Sequence, residues 1–447
     1  MPAVPVAADH PGSLAASLTE LDGRPVVLVE VSSTDRRGAL SEADGHTFAA
    51  AADHATRAGL PLVGLIASSG AVVNDGVAAL HGWGTAARAL ARCSGRVPVL
   101  LAATGPVLSG PALLLGLADQ VVMTDDAQAF VSGPRMVETF TGEALSADDL
   151  GGAPSHASST GVAALIVSDR EAALDALAHV LAYLPSNVDH EPPTWPTDDP
   201  VDRPTPEAGA LLPATASGGY DVRDVARAIV DDGELLELRA RWAPNLVTAL
   251  ATVGGRPVGI VANQPSSIAG TLDIPASQKG ARFVAFCDAF GIPLVTLVDT
   301  PGFYPGKDLE WRGMIRHSAQ LAFAYARATV PRVAVVLRKA YGGAYIVMDC
   351  RSMGSDLYLA WPSAEIAVMG AKGAVEILHR REAPERRSEL EKEYEARFLN
   401  PYVAADRGAV DAVIDPAHTR REVAAGLAML STKQERLVAR KHDNMPM

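Results

Sequence analysis

Short runs of apolar residues alternate along this chain with longer stretches in which apolar and polar residues recur at helical spacing. In the second half of the chain the pattern predicts, in order, helices at 222–229 and 235–241, a helix at 281–290, a strand at 294–299, a helix at 315–328 and a strand at 333–338. Alternating strands and helices are typical of a mostly parallel sheet with crossover helices. The pattern therefore predicts an α/β fold, with functional loops at the carboxyl ends of the strands.

The same pattern occurs twice. Arg24-Pro25-Val26 recurs as Arg256-Pro257-Val258, an offset of 232 residues, and 59–63 matches 291–295 at the same offset. Two further pairs keep this order, namely the apolar runs 97–101 and 330–336 and the glycine turns 109–112 and 342–344. Four matches in the same order predict an internal duplication with two similar lobes.

A proline-rich stretch separates the two copies, with eight prolines between residues 184 and 213. Proline stiffens an extended chain and is excluded from helix interiors, so this stretch predicts a linker. We expect an N-terminal lobe at 1–190, a linker at 191–220 and a C-terminal lobe at 221–447.

Composition and charge exclude several classes of function. A net charge of −13 without basic clusters argues against nucleic acid as a partner. The uncharged stretch 97–118 is interrupted by prolines and glycines, so a membrane span is not expected. Three widely spaced cysteines and a start without signal-peptide features predict reduced thiols and a cytoplasmic protein. No spacing of metal ligands is recognisable, so no metal is expected.

The two glycine turns are the candidates for chemistry. A glycine after a buried strand allows a ligand to approach the backbone, and N–H groups at the start of a helix have no partner within that helix. Such a turn is suited to hold an oxyanion, for example the enolate of a thioester. A glycine pair alone is more often a simple tight turn. Serine hydrolysis has no support, because the Gly-x-Ser-x-Gly pattern is absent from the sequence.

Longer blocks of sequence resemble the carboxyltransferase subunits of biotin-dependent acyl-CoA carboxylases. In the second half these blocks are 261–265, 279–283, 286–290, 301–303, 338–345, 361–377 and 400–405. In the first half they are 141–143, 150–153 and 183–187. The resemblance implies two tandem crotonase-like lobes, in agreement with the duplication found from the sequence itself.

The resemblance also implies a reaction. In that family carboxybiotin releases carbon dioxide, the ureido anion takes the α-proton of an acyl-CoA, and the enolate attacks the carbon dioxide. The N–H groups of Gly343 and Ala344 would stabilise the ureido oxygen of biotin. The first-lobe turn at Ser109 and Gly110 would hold the thioester oxygen.

Four neighbouring residues complete the site implied by the resemblance. Tyr341, Gly342 and Tyr345 are expected to bind biotin. Ile346 stands where relatives differ with their acyl substrate, although an ordinary core isoleucine is the alternative interpretation. Biotin would arrive on a separate carrier or biotin carboxylase subunit, because the sequence has no Met-Lys-Met biotinylation motif. The family also implies a homo-oligomer, usually a hexamer built from dimers.

The first half departs from the family where substrate is expected. Val72 replaces an arginine, Asp75 replaces a glutamate, and the family's Gly-Gly-Ala turn reads Ser109-Gly110-Pro111, in which proline has no N–H group to donate. The basic N-terminal region of relatives is not found either. These departures leave three alternatives open: an acyl chain on a carrier protein as the substrate, a biotin-dependent decarboxylase, and a non-catalytic subunit that pairs with a complete relative.

Overall fold

The structure is a computed structural model that describes residues 4–6, 12–31, 36–215 and 218–446. The chain forms two compact units. The first unit comprises Met1–Pro193 with Arg239–Trp242, and the second comprises Thr194–Leu238 with Ala243–Met447. The predicted lobe boundaries at 190 and 220 stay predictions, and most of the proposed linker lies within the second unit.

The first unit is built on one sheet with helices around it. Its strands are β1 Val4–Pro5, β2 Leu14–Leu21, β3 Arg24–Val31, β4 Leu62–Ser68, β5 Val99–Leu108, β6 Gln120–Thr124, β7 Gln128–Phe130 and β8 Leu165–Val167. Its helices are α1 Glu42–Ala58, α2 Val77–Cys93, α3 Gly110–Leu115, α4 Pro134–Thr141, α5 Ala147–Gly151, α6 Ala153–Ser155 and α7 Arg170–Ala182. The sheet order is β1-β2-β3-β4-β5-β6-β8, and β7 also pairs with β5. Pairing is antiparallel from β1 to β3 and parallel from β3 onward.

The second unit has the same arrangement. Its strands are β9 Leu236–Glu237, β10 Leu246–Val253, β11 Arg256–Asn263, β12 Leu294–Thr300, β13 Arg332–Tyr341, β14 Leu357–Ala360, β15 Glu365–Ala367 and β16 Ala412–Val413. Its helices are α8 Pro206–Ala210, α9 Val222–Ile229, α10 Ile274–Ala289, α11 Lys307–Trp311, α12 Met314–Arg327, α13 Gly342–Val347, α14 Ala371–Leu378, α15 Pro384–Phe398, α16 Pro401–Asp406 and α17 Thr419–Met429. The sheet order is β16-β14-β13-β12-β11-β10-β9, and β15 also pairs with β13. The α/β fold predicted from the alternating pattern is confirmed.

The duplication is visible in strand positions and in an isolated bridge. Strands β3 and β11 begin 232 positions apart, as do β4 and β12. A parallel bridge joins Leu40 to Ala71 in the first unit, and the same bridge joins Leu272 to Phe303 in the second, again 232 positions later. Every residue of β4 and β12 is buried, as expected for parallel strands covered on both faces. The repeat inferred from the sequence therefore corresponds to a repeated structure.

One predicted helix is wrong, and another begins earlier than predicted. The stretch 235–241 contains the strand β9, which pairs antiparallel with β10, and Arg239 has a φ of 58° that a helix does not allow. Pairing with a buried strand therefore overrides the helical propensity of its leucines. Helix α10 begins at Ile274 because Asp273 caps it by accepting the N–H of Ala276.

The described part of the proposed linker is bonded to the second unit. The Trp195 N–H donates to the carbonyl oxygen of Gly255 at 2.7 Å, and the Thr205 N–H donates to that of Ala417 at 2.8 Å. The buried guanidinium of Arg420 donates to the carbonyl oxygens of Pro200 and Asp199. This proline-rich segment therefore has a fixed path along the second unit.

Candidate active site

Strand β13 leads directly into α13, and the turn between them contains the residues predicted to stabilise the biotin oxygen. Gly342 has a φ of 58°, a left-handed conformation that is costly for any residue with a side chain. Gly343 and Ala344 are the second and third residues of α13, and the N-cap residue Tyr341 makes no side-chain capping bond. The N–H groups of Gly343 and Ala344 have no partner four residues earlier in the helix. The turn therefore presents two adjacent backbone donors.

This turn is tightly enclosed on one side and open on the other. A β-carbon on Gly343 would lie 3.1 Å from Cε2 of Phe303, and one on Gly342 would lie 3.1 Å from the carbonyl oxygen of Val368. Ala344 is fully buried, whereas Gly343 is exposed. A ligand oxygen has access to the turn, but a larger side chain at either glycine has little room.

The two tyrosines beside the turn already have protein partners. The Tyr341 hydroxyl donates to the carboxylate of Glu365, and the Tyr341 ring lies beneath Gly370 with only 8% of the residue exposed. Burial, followed by the bond to Glu365, raises the pKa of Tyr341. The half-buried Tyr345 stacks edge-on against Tyr358 at 6.1 Å between ring centroids. The predicted biotin contacts of Tyr341 and Tyr345 remain predictions.

Ile346 is not an ordinary core residue. It is 45% exposed, on the turn of α13 that follows the two backbone donors. A half-exposed isoleucine beside Gly343 is available to contact a ligand. Its predicted part in acyl selectivity stays a prediction.

A buried carboxylate lies at the carboxyl end of β12, beside the path of β13 into the turn. One oxygen of Asp299 accepts the backbone N–H of Lys339 at 3.1 Å. The other accepts the Tyr220 hydroxyl at 2.8 Å and Nε of Arg338 at 3.1 Å. Burial raises the pKa of Asp299, and the Arg338 guanidinium opposes that shift. The carboxylate has donors on both oxygens although it is only 1% exposed.

Sequence reasoning overlooked this cluster and treated Asp299 only as the last residue of a strand. The available signal was an aspartate that ends an apolar run, because a buried carboxylate needs partners. Its neighbour Asn263, at the end of β11, accepts the Asp299 N–H at 3.2 Å.

The first-unit turn has the same position but a different composition. Ser109 has φ 62° and ψ −133°, a region that favours glycine. Its N–H donates to the carbonyl oxygen of Phe130 at 2.9 Å. A β-carbon on Gly110 would lie 2.7 Å from Nε1 of Trp83, so the indole edge lies against this turn. Pro111 follows and has no N–H group.

Strand register aligns the two turns residue by residue. Ser68 pairs with Val107 in the first unit, and Thr300 pairs with Ala340 in the second. Counting forward from these pairs places Ser109 at the position of Gly342. Gly110 is then equivalent to Gly343, and Pro111 to Ala344. The paired donors of the second unit therefore correspond to a single donor, Gly110, in the first.

The structure divides the donor pair Ser109 and Gly110 predicted for the first lobe, and the role of the pair in holding the thioester oxygen stays a prediction. The N–H of Ser109 is engaged by Phe130, so it is not available to a thioester oxygen in this conformation. The equivalent Gly342 likewise precedes the donor pair instead of belonging to it. The N–H of Gly110 is the predicted donor of this turn that remains.

The other altered positions of the first lobe lie on a short 3₁₀ turn, Val73–Asp75, and at its start. The N–H of Val72 donates to the carbonyl oxygen of Leu40 at 2.9 Å, and the N–H of Asp75 donates to that of Val72 at 3.1 Å. Both side chains are outside the core, with Val72 half-buried and Asp75 exposed. Backbone bonds therefore hold this turn.

Neither a metal site nor a membrane-spanning helix is found in the part of the chain that the structure describes. Within residues 4–6, 12–31, 36–215 and 218–446, His, Cys, Asp and Glu form no group of three or more suited to a metal ion. Over the same ranges, none of the helices combines the length and the apolar character needed to cross a bilayer.

Comparisons with known proteins show the family of this chain. The carboxyl transferase domain family matches residues 10–445. The chain is 45% identical to the propionyl-CoA carboxylase beta chain of Saccharopolyspora erythraea, over 96% of this chain and 82% of the relative. It is 42% identical to the methylmalonyl-CoA decarboxylase subunit alpha of Propionigenium modestum, over 96% of this chain and 84% of the relative.

A solved structure gives the same result for the fold. The crystal structure of the hexameric transcarboxylase 12S with hydrolysed methylmalonyl-coenzyme A matches with a TM-score of 0.97 at 41% identity, covering 100% of this chain and 90% of that chain. The two tandem crotonase-like lobes implied by the resemblance are thereby confirmed. The chain belongs to the carboxyl transferase domain family, and it is a carboxyltransferase of the kind found in biotin-dependent acyl-CoA carboxylases.

Proposed function

We propose that this chain moves a carboxyl group from carboxybiotin, carried on a separate protein, to the α-carbon of an acetyl- or propionyl-type acyl-CoA. The observation that carries the proposal is the second-unit turn, in which Gly342 has a left-handed φ and is followed by the adjacent donors Gly343 and Ala344. The similarity to a propionyl-CoA carboxylase beta chain supports the acyl-CoA substrate.

The residues of the second-unit turn fit the ureido group of biotin. When it is bound, biotin supplies the carboxyl group and takes up the substrate α-proton. The chain contributes two neutral N–H donors at the start of α13, placed to stabilise negative charge on an oxygen. In a well-studied enzyme, removal of one such donor lowers kcat by roughly 10²- to 10³-fold. Tyr341, Gly342 and Tyr345 would shape the surrounding pocket.

The first-unit turn is proposed to hold the thioester oxygen through Gly110. Its N–H occupies the position of Gly343 in the duplicated fold, and the indole edge of Trp83 lies beside it. Ser109 sets the direction of the turn and bonds to Phe130. Because Pro111 has no N–H group, the first-unit turn has fewer backbone donors than the second-unit turn.

The proposed partners follow from the same assignment. A biotinylated carrier or biotin carboxylase subunit must present biotin, and the named hexamer of transcarboxylase 12S supports a homo-oligomer, with a hexamer built from dimers as the expected form. Exposed large apolar side chains at Val73, Phe140, Trp311 and Ile315 are consistent with contacts between subunits. The free, buried cysteines support a cytoplasmic location.

A transcarboxylation screen tests the proposal. The purified protein is combined with a biotin carrier whose carboxybiotin bears an isotopically labelled carboxyl group, and acetyl-, propionyl- and butyryl-CoA are offered separately. Acid-stable label in at least one acyl-CoA is the expected result. Labelling of an acyl-carrier protein in preference to every CoA ester would reassign the substrate. Absence of label from all thioesters would overturn the proposal and favour the non-catalytic alternative.

Decarboxylation is a second candidate, because the relative from Propionigenium modestum is named a decarboxylase subunit. The two reactions share a site and differ in direction. Methylmalonyl-CoA is incubated with free biotin, and carbon dioxide release is compared with the rate of propionyl-CoA carboxylation. Release without measurable carboxylation would assign the decarboxylase.

A further inference from the structure

We propose that Asp299 is a positioning residue for the biotin-side turn: its buried carboxylate fixes the path of β13 so that the N–H groups of Gly343 and Ala344 point at the oxyanion. The inference rests on the proposed function of this turn. Asp299 itself is not placed in contact with substrate.

Asp299 bonds to β13 at an irregularity in strand pairing. Val298 pairs with Val336 and Thr300 pairs with Ala340, so β13 uses four residues where β12 uses two. Backbone groups within a bulge lose their regular ladder partners. The extra residues include Lys339, whose N–H is accepted by Asp299 at 3.1 Å. The carboxylate thus bonds to β13 where its pairing with β12 is interrupted, while Lys339 pairs with Glu365 of β15.

The second carboxylate oxygen connects the bulge to a different segment. It accepts the Tyr220 hydroxyl and Nε of Arg338, and Arg338 in turn donates to the carbonyl oxygen of Gly218 at 2.9 Å. The Arg338 guanidinium also lies over the Tyr220 ring, 5.3 Å from its centroid. These contacts compensate the buried charge and restrict the bulge from both sides.

Asn263 bonds to the backbone of Asp299. Its side-chain oxygen accepts the Asp299 N–H, while its Nδ2 is buried and finds no partner among the described residues. A buried amide group that lacks a partner lowers the stability of the folded chain. The bond from the Asp299 N–H to Asn263 holds the backbone of Asp299 in place.

The first unit provides an internal comparison. It has the same irregular pairing, with Ile66 opposite Ala103 and Ser68 opposite Val107. The residue equivalent to Asp299 is Ala67, so the bulge forms there without a carboxylate. In place of the Arg338-Lys339 pair the first unit has Gly105-Pro106, which carries no charge. The fold therefore does not require the charged network, which is specific to the second-unit turn.

The test compares Asp299→Asn with Asp231→Asn. Asp231 is a matched control because it is only 3% exposed and accepts Arg420 at 2.6 Å and the N–H groups of Gly254 and Gly255. Those glycines form the hairpin between β10 and β11, at the opposite end of β11 from Asn263. Both substitutions remove one charge from a buried ion pair of the second unit. Only Asp299→Asn lies beside the biotin-side turn.

We expect Asp299→Asn to lower kcat for biotin-dependent carboxyl transfer by about tenfold or more, with the KM for acyl-CoA within about twofold of the unaltered protein. Asp231→Asn should lower the thermal midpoint but leave kcat within about twofold, since it disturbs only the distant hairpin. Rates are measured well below both midpoints, on oligomers verified by light scattering.

Tyr220→Phe provides a second variant that is less prone to misfolding. It removes one of the bonds to Asp299 and retains the ring, so a kcat loss of about threefold is expected. Unchanged kcat in this folded variant, or equal kcat losses in Asp299→Asn and Asp231→Asn, would overturn the inference. A rise in the KM of Asp299→Asn for acyl-CoA without a fall in its kcat would also overturn the inference. Biotin-dependent turnover by the unaltered protein is measured first, so failure of the proposed function is recognised separately.

Discussion

Replacement of Ser109 by glycine should stabilise this protein, although glycine normally weakens a folded chain. Ser109 has φ 62° and ψ −133°, and conformations of this kind cost about 1 to 3 kcal/mol for a residue with a side chain. Glycine removes that strain but adds about 0.4 to 1 kcal/mol of unfolded-state entropy cost. The Ser109 residue is exposed, so little contact area is lost. The difference between these contributions is a net stabilisation of about 0.5 to 2 kcal/mol.

The assay is the midpoint of thermal unfolding at a fixed protein concentration, with two comparison variants. Ser94→Gly changes an exposed serine at φ −52° and ψ 122°, where no strain is relieved, so its midpoint should fall by the usual glycine effect. Gly342→Ala is the reciprocal change at the equivalent position of the second unit. It should destabilise by about 1 to 3 kcal/mol, because its β-carbon is placed at a φ of 58°.

The order of the three thermal midpoints tests whether Ser109 carries backbone strain. Ser109→Gly should lie above the unaltered protein, Ser94→Gly slightly below it, and Gly342→Ala lowest. A Ser109→Gly midpoint as low as that of Ser94→Gly would refute the reasoning, since it would mean that the serine carries no backbone strain.

Three further outcomes are expected. Gly343→Val should lower biotin-dependent kcat by about 10²-fold or more, because even a single β-carbon there would lie 3.1 Å from Phe303; kcat near that of the unaltered protein would remove the turn from the mechanism. Pro111→Ala restores an N–H at the position equivalent to Ala344 and should raise kcat, whereas unchanged kcat would show that the first-unit site does not use this position. The buried cysteines should react with a thiol reagent only after denaturation, as burial raises the pKa of Cys93 and Cys287; rapid labelling of native protein would contradict this.

The parts of the fold that could be predicted were those with a repeated or periodic signal. Arg24-Pro25-Val26 and its copy mark the starts of β3 and β11, and the apolar runs mark β12 and β13. Residues 235–241 were mispredicted because a short strand depends on its partner. β9 exists through pairing with β10, which its own sequence does not reveal.

The candidate site could be predicted only where the identity of a residue indicates its conformation. Gly342 is recognisable because glycine is the residue that tolerates its positive φ, whereas Ser109 has a similar φ that a serine does not predict. The bond from its N–H to Phe130 depends on the pairing of β7 with β5, which is a tertiary contact. Asp299 was missed because its significance comes from Tyr220 and Arg338, which are far from it in sequence.

The fixed path of the proline-rich segment determines where the gene can be divided. Expressing the halves as separate polypeptides cut after Pro193 leaves Trp195, Pro200 and Thr205 attached to the half that binds them. A cut at residue 220 would instead separate the buried guanidinium of Arg420 from the carbonyl oxygens of Pro200 and Asp199, while that of Ile229 would remain. The fragment that begins at Thr194 should therefore have a higher thermal midpoint than the fragment that begins at Asp221.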